Sequence, residues 1–153
     1  MKYISTYNFF SHKLFESIMS DISLDIKDML LDITDVGQLV IDFNESDDSI
    51  YILISKDTET DRITIFTMDE NILSVLERIY KYTKENGFNV NIFINETGIG
   101  DRLKVIFKND AWFCVTGKRM FPVVKPIKLL NNKMIDSINI NISETYNNIP
   151  IEL

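Results

Sequence analysis

Apolar and polar residues alternate in three runs between residues 36 and 68, and a short polar loop follows each of the first two runs. The runs are Gln38–Phe43, Ile50–Lys56 and Arg62–Met68, and they are rich in isoleucine, which favours strands. A period of two with polar loops between the runs predicts an antiparallel up-down-up meander. Neither face of these strands is wholly polar, so we expect both faces to be partly covered.

The strongest helical pattern is Asp69–Asn86. Asp69 is a suitable N-cap, lysines occupy the last turn, and Gly87 is placed to end the helix. The basic stretch after Gly117 contains Pro122 and Pro126, which argue against a regular helix or a central strand there. Alternation predicts further strands at Phe88–Ile94, Leu103–Phe107, Ala111–Thr116 and Ile138–Ile142, the last as an edge strand with an asparagine row facing water.

Two weaker helical patterns precede the first strand. Phe9–Met19 and Asp21–Ile33 repeat apolar residues about every four positions, and the serines near Ser20–Ser23 predict a break between them. The alternation in Ile22–Ile26 leaves a short strand open as the alternative. If the second segment is helical, its acids form one stripe beside the apolar face, made of Asp21, Asp25, Asp28, Asp32 and Asp35.

These elements predict one domain over residues 1–153 with an α+β fold. We expect a mostly antiparallel sheet of about six strands, with one long central helix and the N-terminal helices packed on it. The length of 153 residues fits a single domain that buries a sizeable core.

The net charge of −7 is unevenly distributed along the chain. Residues 1–61 hold 13 acids and 4 bases, a net charge of −9, whereas residues 62–153 hold 10 acids and 12 bases, a net charge of +2. An acidic half repels phosphates, so we expect no direct binding to nucleic acid and none to an anionic membrane. It favours a basic protein as the partner.

Candidate chemistry is sparse. His12 is the only histidine and Cys114 the only cysteine, which leaves no zinc ligand set of the usual kind and no internal disulfide. The alternating acids after Lys56 resemble the start of a calcium loop, but Arg62 stands where glycine is needed and Met68 where the bidentate glutamate belongs. We therefore predict no enzymatic activity, no cofactor and no metal.

The order of two helices, three strands, a long helix and a strand between Phe9 and Ile94 resembles the GNAT acetyltransferases. Those enzymes bind the pyrophosphate of acyl-CoA at a glycine-bearing loop between the third strand and the helix. Here residues 67–71 read Thr-Met-Asp-Glu-Asn, with two carboxylates and no glycine. The resemblance therefore implies a degenerate acyltransferase as one alternative function.

The function that we favour is that of a small acidic binding protein, in concrete form an immunity protein (an antitoxin) that neutralises a basic toxin such as a nuclease. A viral or phage accessory or structural protein with a merely solubilising acidic surface is the alternative. The single cysteine and the lack of a signal-peptide pattern favour a cytoplasmic location. The strand directions of the meander predict one shared binding rim, made of Asp32, Asp35, Asp57, Glu59 and Asp61.

Overall fold

The computed structural model describes residues 19–34, 39–56, 66–96, 104–116, 118–130 and 133–144. The helices are α1 (residues 19–34), α2 (Glu70–Glu85) and α3 (Pro126–Leu130). The strands are β1 (Leu39–Glu45), β2 (Ser49–Lys56), β3 (Phe66–Thr67), β4 (Phe88–Glu96), β5 (Lys104–Lys108), β6 (Ala111–Thr116), β7 (Arg119–Val123) and β8 (Met134–Glu144).

The fold is α+β, as predicted, and its eight strands form one antiparallel sheet in the order β1-β2-β8-β4-β5-β6-β7, with β3 also paired to β8. The expected number of about six strands is too low. The hairpin of β1 and β2 is confirmed, with Leu39 opposite Lys56. The third strand of the expected meander is wrong in the described residues, because Phe66 and Thr67 pair with β8 and not with β2.

Strand β8 lies inside the sheet between β2 and β4, so the prediction that it forms an edge is wrong. Its isoleucines at 138, 140 and 142 are at most 1% exposed and face isoleucines of β2 in the register. A strand with apolar neighbours on both sides buries more surface than an edge strand, which explains its position. Asn139 and Asn141 point to the opposite face of the sheet and pair in register with residues of both neighbouring strands.

Helices α1 and α2 lie side by side on one face of the sheet, so the prediction of a single long central helix is wrong. Ile22, Ile26 and Leu30 of α1 and Leu76 and Ile79 of α2 enter the same core cluster, each at most 2% exposed. Contacts between the two helices, and from α1 to β1, fix this arrangement.

Helix α1 is continuous over residues 19–34, so both the break near Ser20–Ser23 and the alternative strand at Ile22–Ile26 are wrong. The hydroxyl of Ser23 does not compete with the helix, because it donates to a carboxylate oxygen of Glu45 at 2.9 Å. The predicted helix Phe9–Met19 lies outside the described residues except for Met19.

The predicted ends of α2 are confirmed. The carboxylate of Asp69 accepts a hydrogen bond from the amide of Ile72 at 2.8 Å, as an N-cap does. Gly87 has a φ of 85°, the left-handed conformation that glycine adopts without strain after a helix.

The two prolines limit the elements around them without abolishing them. Pro122 lies in β7, which is an edge strand among the described residues, where a missing amide donor breaks no ladder bond on the outer side. Pro126 occupies the first position of α3, where its fixed φ suits a helix start. The sequence therefore excluded a central strand correctly but missed a short edge strand and a short helix.

Candidate functional site

The surface that stands out is the outer face of α1, made of Leu24, Asp28 and Leu31. The two leucines are 59% and 55% exposed, and their spacing of seven residues places them on one line two turns apart. Asp28 lies between them and is exposed. Single exposed leucines are ordinary, but two aligned leucines beside a carboxylate form a small apolar surface with a charge at its centre.

Four of the five predicted aspartates, Asp21, Asp25, Asp28 and Asp32, form a helical stripe on α1, and two of them contact α2; Asp35 lies outside the described residues. The carboxylate of Asp32 forms an ion pair with the guanidinium of Arg78, with 2.6 Å between Oδ2 and Nη2. The carboxylate of Asp25 accepts a hydrogen bond from the hydroxyl of Tyr82. Asp28 has neither an ion-pair nor a hydrogen-bond partner among the described residues, so its charge is available to another molecule.

The contact of Tyr82 with α1 changes its acidity. Burial raises the pKa of Tyr82 from its ordinary value of 10.0 to about 12, and the hydrogen bond to Asp25 and the negative charge of Asp25 act in the same direction. The neutral phenol is thus the form that the folded protein stabilises. This contribution to stability is fully present below pH 10.0 and is lost as the pH rises toward about 12.

Replacing Tyr82 with phenylalanine removes the hydrogen bond to Asp25 and also the phenol group that ionises at high pH. At pH 7 we expect the free energy of unfolding to fall by about 1 kcal/mol, the usual net value of such a bond near the surface. Urea unfolding of both proteins at several pH values checks this, and the difference between them should shrink above pH 10.0. A difference that stays constant up to pH 12 would contradict the proposed linkage.

Of the five acids predicted to form the binding rim, only Asp32 is described, and it is already paired with Arg78. Asp35, Asp57, Glu59 and Asp61 lie outside the described residues. The pairing of Leu39 with Lys56 places the start of β1 beside the end of β2. The predicted rim needs these two strand ends to be neighbours. Their gathering into one rim stays a prediction.

The acids of the turn between β1 and β2 are exposed and partly held by the turn itself. The hydroxyl of Ser46 contacts Asp48 and Ser49, and Glu45 accepts from Ser23 of α1. Met19, Glu45, Ser46 and Asp47 line a shallow cleft of about 380 Å³ between α1 and this turn. The turn therefore adds negative charge next to the start of α1.

Charge is segregated across the sheet. The described residues of α1, β1, β2 and their turn hold eight acids and two bases, whereas those from β5 to β7 hold four bases and one acid. Because β1 and β7 are the two ends of the strand order, these groups lie at opposite edges of the sheet. The fold thus converts a charge difference along the chain into an acidic side and a basic side of one molecule.

The described residues offer little to a reaction or a metal ion. Cys114 is buried, as expected of a structural thiol, and burial raises its pKa, which disfavours the reactive thiolate. Within these ranges no three His, Cys, Asp or Glu side chains are grouped to hold a metal ion. At the start of α2, the amide of Ile72 is already bonded to Asp69, so this position offers that donor to no pyrophosphate.

Sequence reasoning found the acids of α1 but missed Leu24 and Leu31. The signal was present, because the helical register of Ile22 and Ile26 places both leucines off the apolar stripe. In the ranges that the structure covers, no helix is long and apolar enough to cross a membrane. The sequence matches no protein-family model, and neither a curated protein nor a solved structure matches it.

Proposed function

We propose that this protein binds and neutralises a basic protein, and that the outer face of α1 takes part in the contact. The observation that supports this is the alignment of exposed Leu24 and Leu31 with the unpaired carboxylate of Asp28, on the acidic side of the sheet. Apolar anchors beside charge are the composition of a docking surface, since the apolar groups supply affinity and the charges supply orientation.

The two kinds of side chain contribute differently. Full burial of an exposed leucine against a partner gains about 1.5–3 kcal/mol, which slows dissociation. The surplus of six negative charges on this side of the sheet attracts a basic protein over a distance of about 10 Å at moderate salt, which speeds association.

An immunity protein against a toxin, such as a nuclease, is the concrete form of the proposal. A nuclease grips phosphates with basic side chains, and carboxylates on a rigid helix can occupy the same cleft. A location in the cytoplasm suits a chain with one buried thiol, and it belongs to the same proposal. The alternative remains an accessory or structural protein whose acidic side only increases solubility.

The experiment begins with capture of partners from the native host. The affinity of the purified basic partner is then measured by calorimetry, and its association and dissociation rates are measured by stopped flow. Leu24→Ala combined with Leu31→Ala should weaken affinity at least about tenfold through faster dissociation. Asp28→Lys should slow association and reduce its dependence on salt. Asp136→Lys is the matched control, because it makes the same charge change at an exposed position of β8.

A second set of variants tests the predicted rim separately. Reversal of the charges of Asp57, Glu59 and Asp61 should reduce the association rate and its salt dependence if these residues contact the partner. Unchanged affinity and salt dependence in this set would remove the rim from the proposal. Unchanged binding in the α1 variants as well would leave the solubilising surface as the better account.

A further inference from the structure

The second face of the sheet has no described helix on it. Facing residues of neighbouring strands form a continuous row across it, and the members of this central row are Asp42, Leu53, Asn139, Phe93, Ile106, Phe113 and Pro122. The four apolar residues from Leu53 to Phe113 are only partly buried. The core residues of α1 and α2 pack on the other face, where the isoleucines of β2, β8 and β4 are buried.

Asn139 is the member of this row that lies on β8, and its side-chain oxygen has no hydrogen-bond donor among the described residues. This oxygen, Oδ1, is buried. Its register neighbours are Leu53 and Phe93, whose side chains have no donor to offer. Because this oxygen is already shielded from water in the single chain, Asn139 is a polar position inside an apolar row and not an exposed acceptor.

The charges on this face have opposite signs on the two sides of β8. Asp42 lies two strands away on one side, and Lys104 and Lys108 lie on β5, two strands away on the other side. The ammonium of Lys104 is 4.5 Å from the centre of the Phe93 ring, which places it over this face. The strands between them contribute only uncharged side chains to the central row.

We propose that a second copy of this chain packs on this face, with the two-fold axis running along β8. This rotation places β1 over β5 and β2 over β4 of the other copy, and β8 over itself. Asp42 then meets the lysines of β5, and Leu53 meets Phe93. The two Asn139 side chains lie next to each other at the axis.

The area of this face fits a weak dimer. Five overlapping strands spaced about 4.8 Å apart, each roughly 17–25 Å long, present on the order of 400–600 Å² per copy. Specific interfaces begin at about 600 Å² per partner, so this contact belongs to the small, reversible class. The proposal is independent of the proposed function, because the outer face of α1 stays exposed in such a dimer.

Sedimentation velocity over a range of concentrations tests the proposal, with circular dichroism to confirm that each variant is folded. The unmodified protein should be in a monomer–dimer equilibrium. Asp42→Lys alone, or Lys104→Glu with Lys108→Glu, should raise the dissociation constant at least about tenfold, because each brings like charges together. The triple variant that combines these changes should restore the dimer, since the charges are exchanged.

Two further variants test a residue at the proposed two-fold axis and a residue far from the proposed interface. Asn139→Asp places two carboxylates at the axis, so the dimer should dissociate at pH 7. Asp28→Lys makes a charge change on α1 and should leave the dimer intact. A protein that stays monomeric at about 1 mM would overturn the proposal. A triple variant that fails to recover would overturn it too.

Discussion

Replacing Ile140 with alanine is expected to lower the free energy of unfolding by about 2–5 kcal/mol, the usual cost of removing a buried isoleucine side chain. Ile140 is 0% exposed, and it lies between Ile52 of β2 and Ile92 of β4 in the register. The cavity would open in the middle of the sheet, where two neighbouring strands hold the backbone in place. Urea unfolding followed by circular dichroism measures the loss.

Two milder substitutions in the same strand show whether the loss of stability comes from the cavity at Ile140. Ile140→Val removes one methylene and should cost about 0.5–1.5 kcal/mol. Ser143→Ala changes an exposed residue of the same strand, and its effect should stay within about 0.5 kcal/mol. If Ile140→Ala lowered the free energy of unfolding no more than Ser143→Ala, the result would contradict the placement of β8 in the middle of the sheet.

Replacing Phe107 with alanine is expected to cost about 3–5 kcal/mol, because the side chain joins the hairpin of β5 and β6 to α2. Its ring lies between Tyr80, with 4.1 Å between ring centres, and Trp112, with 4.5 Å. Two hydrogen bonds depend on the same packing, one from the Asp110 amide to the Tyr80 hydroxyl and one from the Trp112 indole to Glu77.

Trp112 is the only tryptophan, so its fluorescence reports directly on this aromatic group. In the Phe107→Ala protein the emission should shift to longer wavelength at a lower urea concentration than in the unmodified protein. Phe107→Leu keeps most of the volume and should cost clearly less than the alanine substitution. Equal losses for the two variants would mean that the ring contacts themselves, and not the filled volume, hold the hairpin.

Local sequence determined the elements that depend on neighbours along the chain. The N-cap at Asp69 and the left-handed Gly87 define α2 because both act through backbone groups within a few residues. The hairpin of β1 and β2 was predicted for the same reason. The continuity of α1 was missed, because the hydroxyl of Ser23 is satisfied by Glu45, which lies 22 residues away.

The candidate surfaces show the same division. The helical register alone placed Asp25, Asp28 and Asp32 on one stripe. Which of them is free depends on α2, because Arg78 and Tyr82 reach two of the three across 46 and 57 residues.

The sequence by itself determined the α+β class, the period-two strands, the acidic first half and the absence of a familiar catalytic motif. Tertiary structure alone decided that β8 enters the middle of the sheet and that Asn139 lies in an apolar row. It also decided that acidic and basic residues lie at opposite edges. Alternation fixes which side chains share a face, but the choice of neighbouring strand depends on the apolar surface that distant segments bury together.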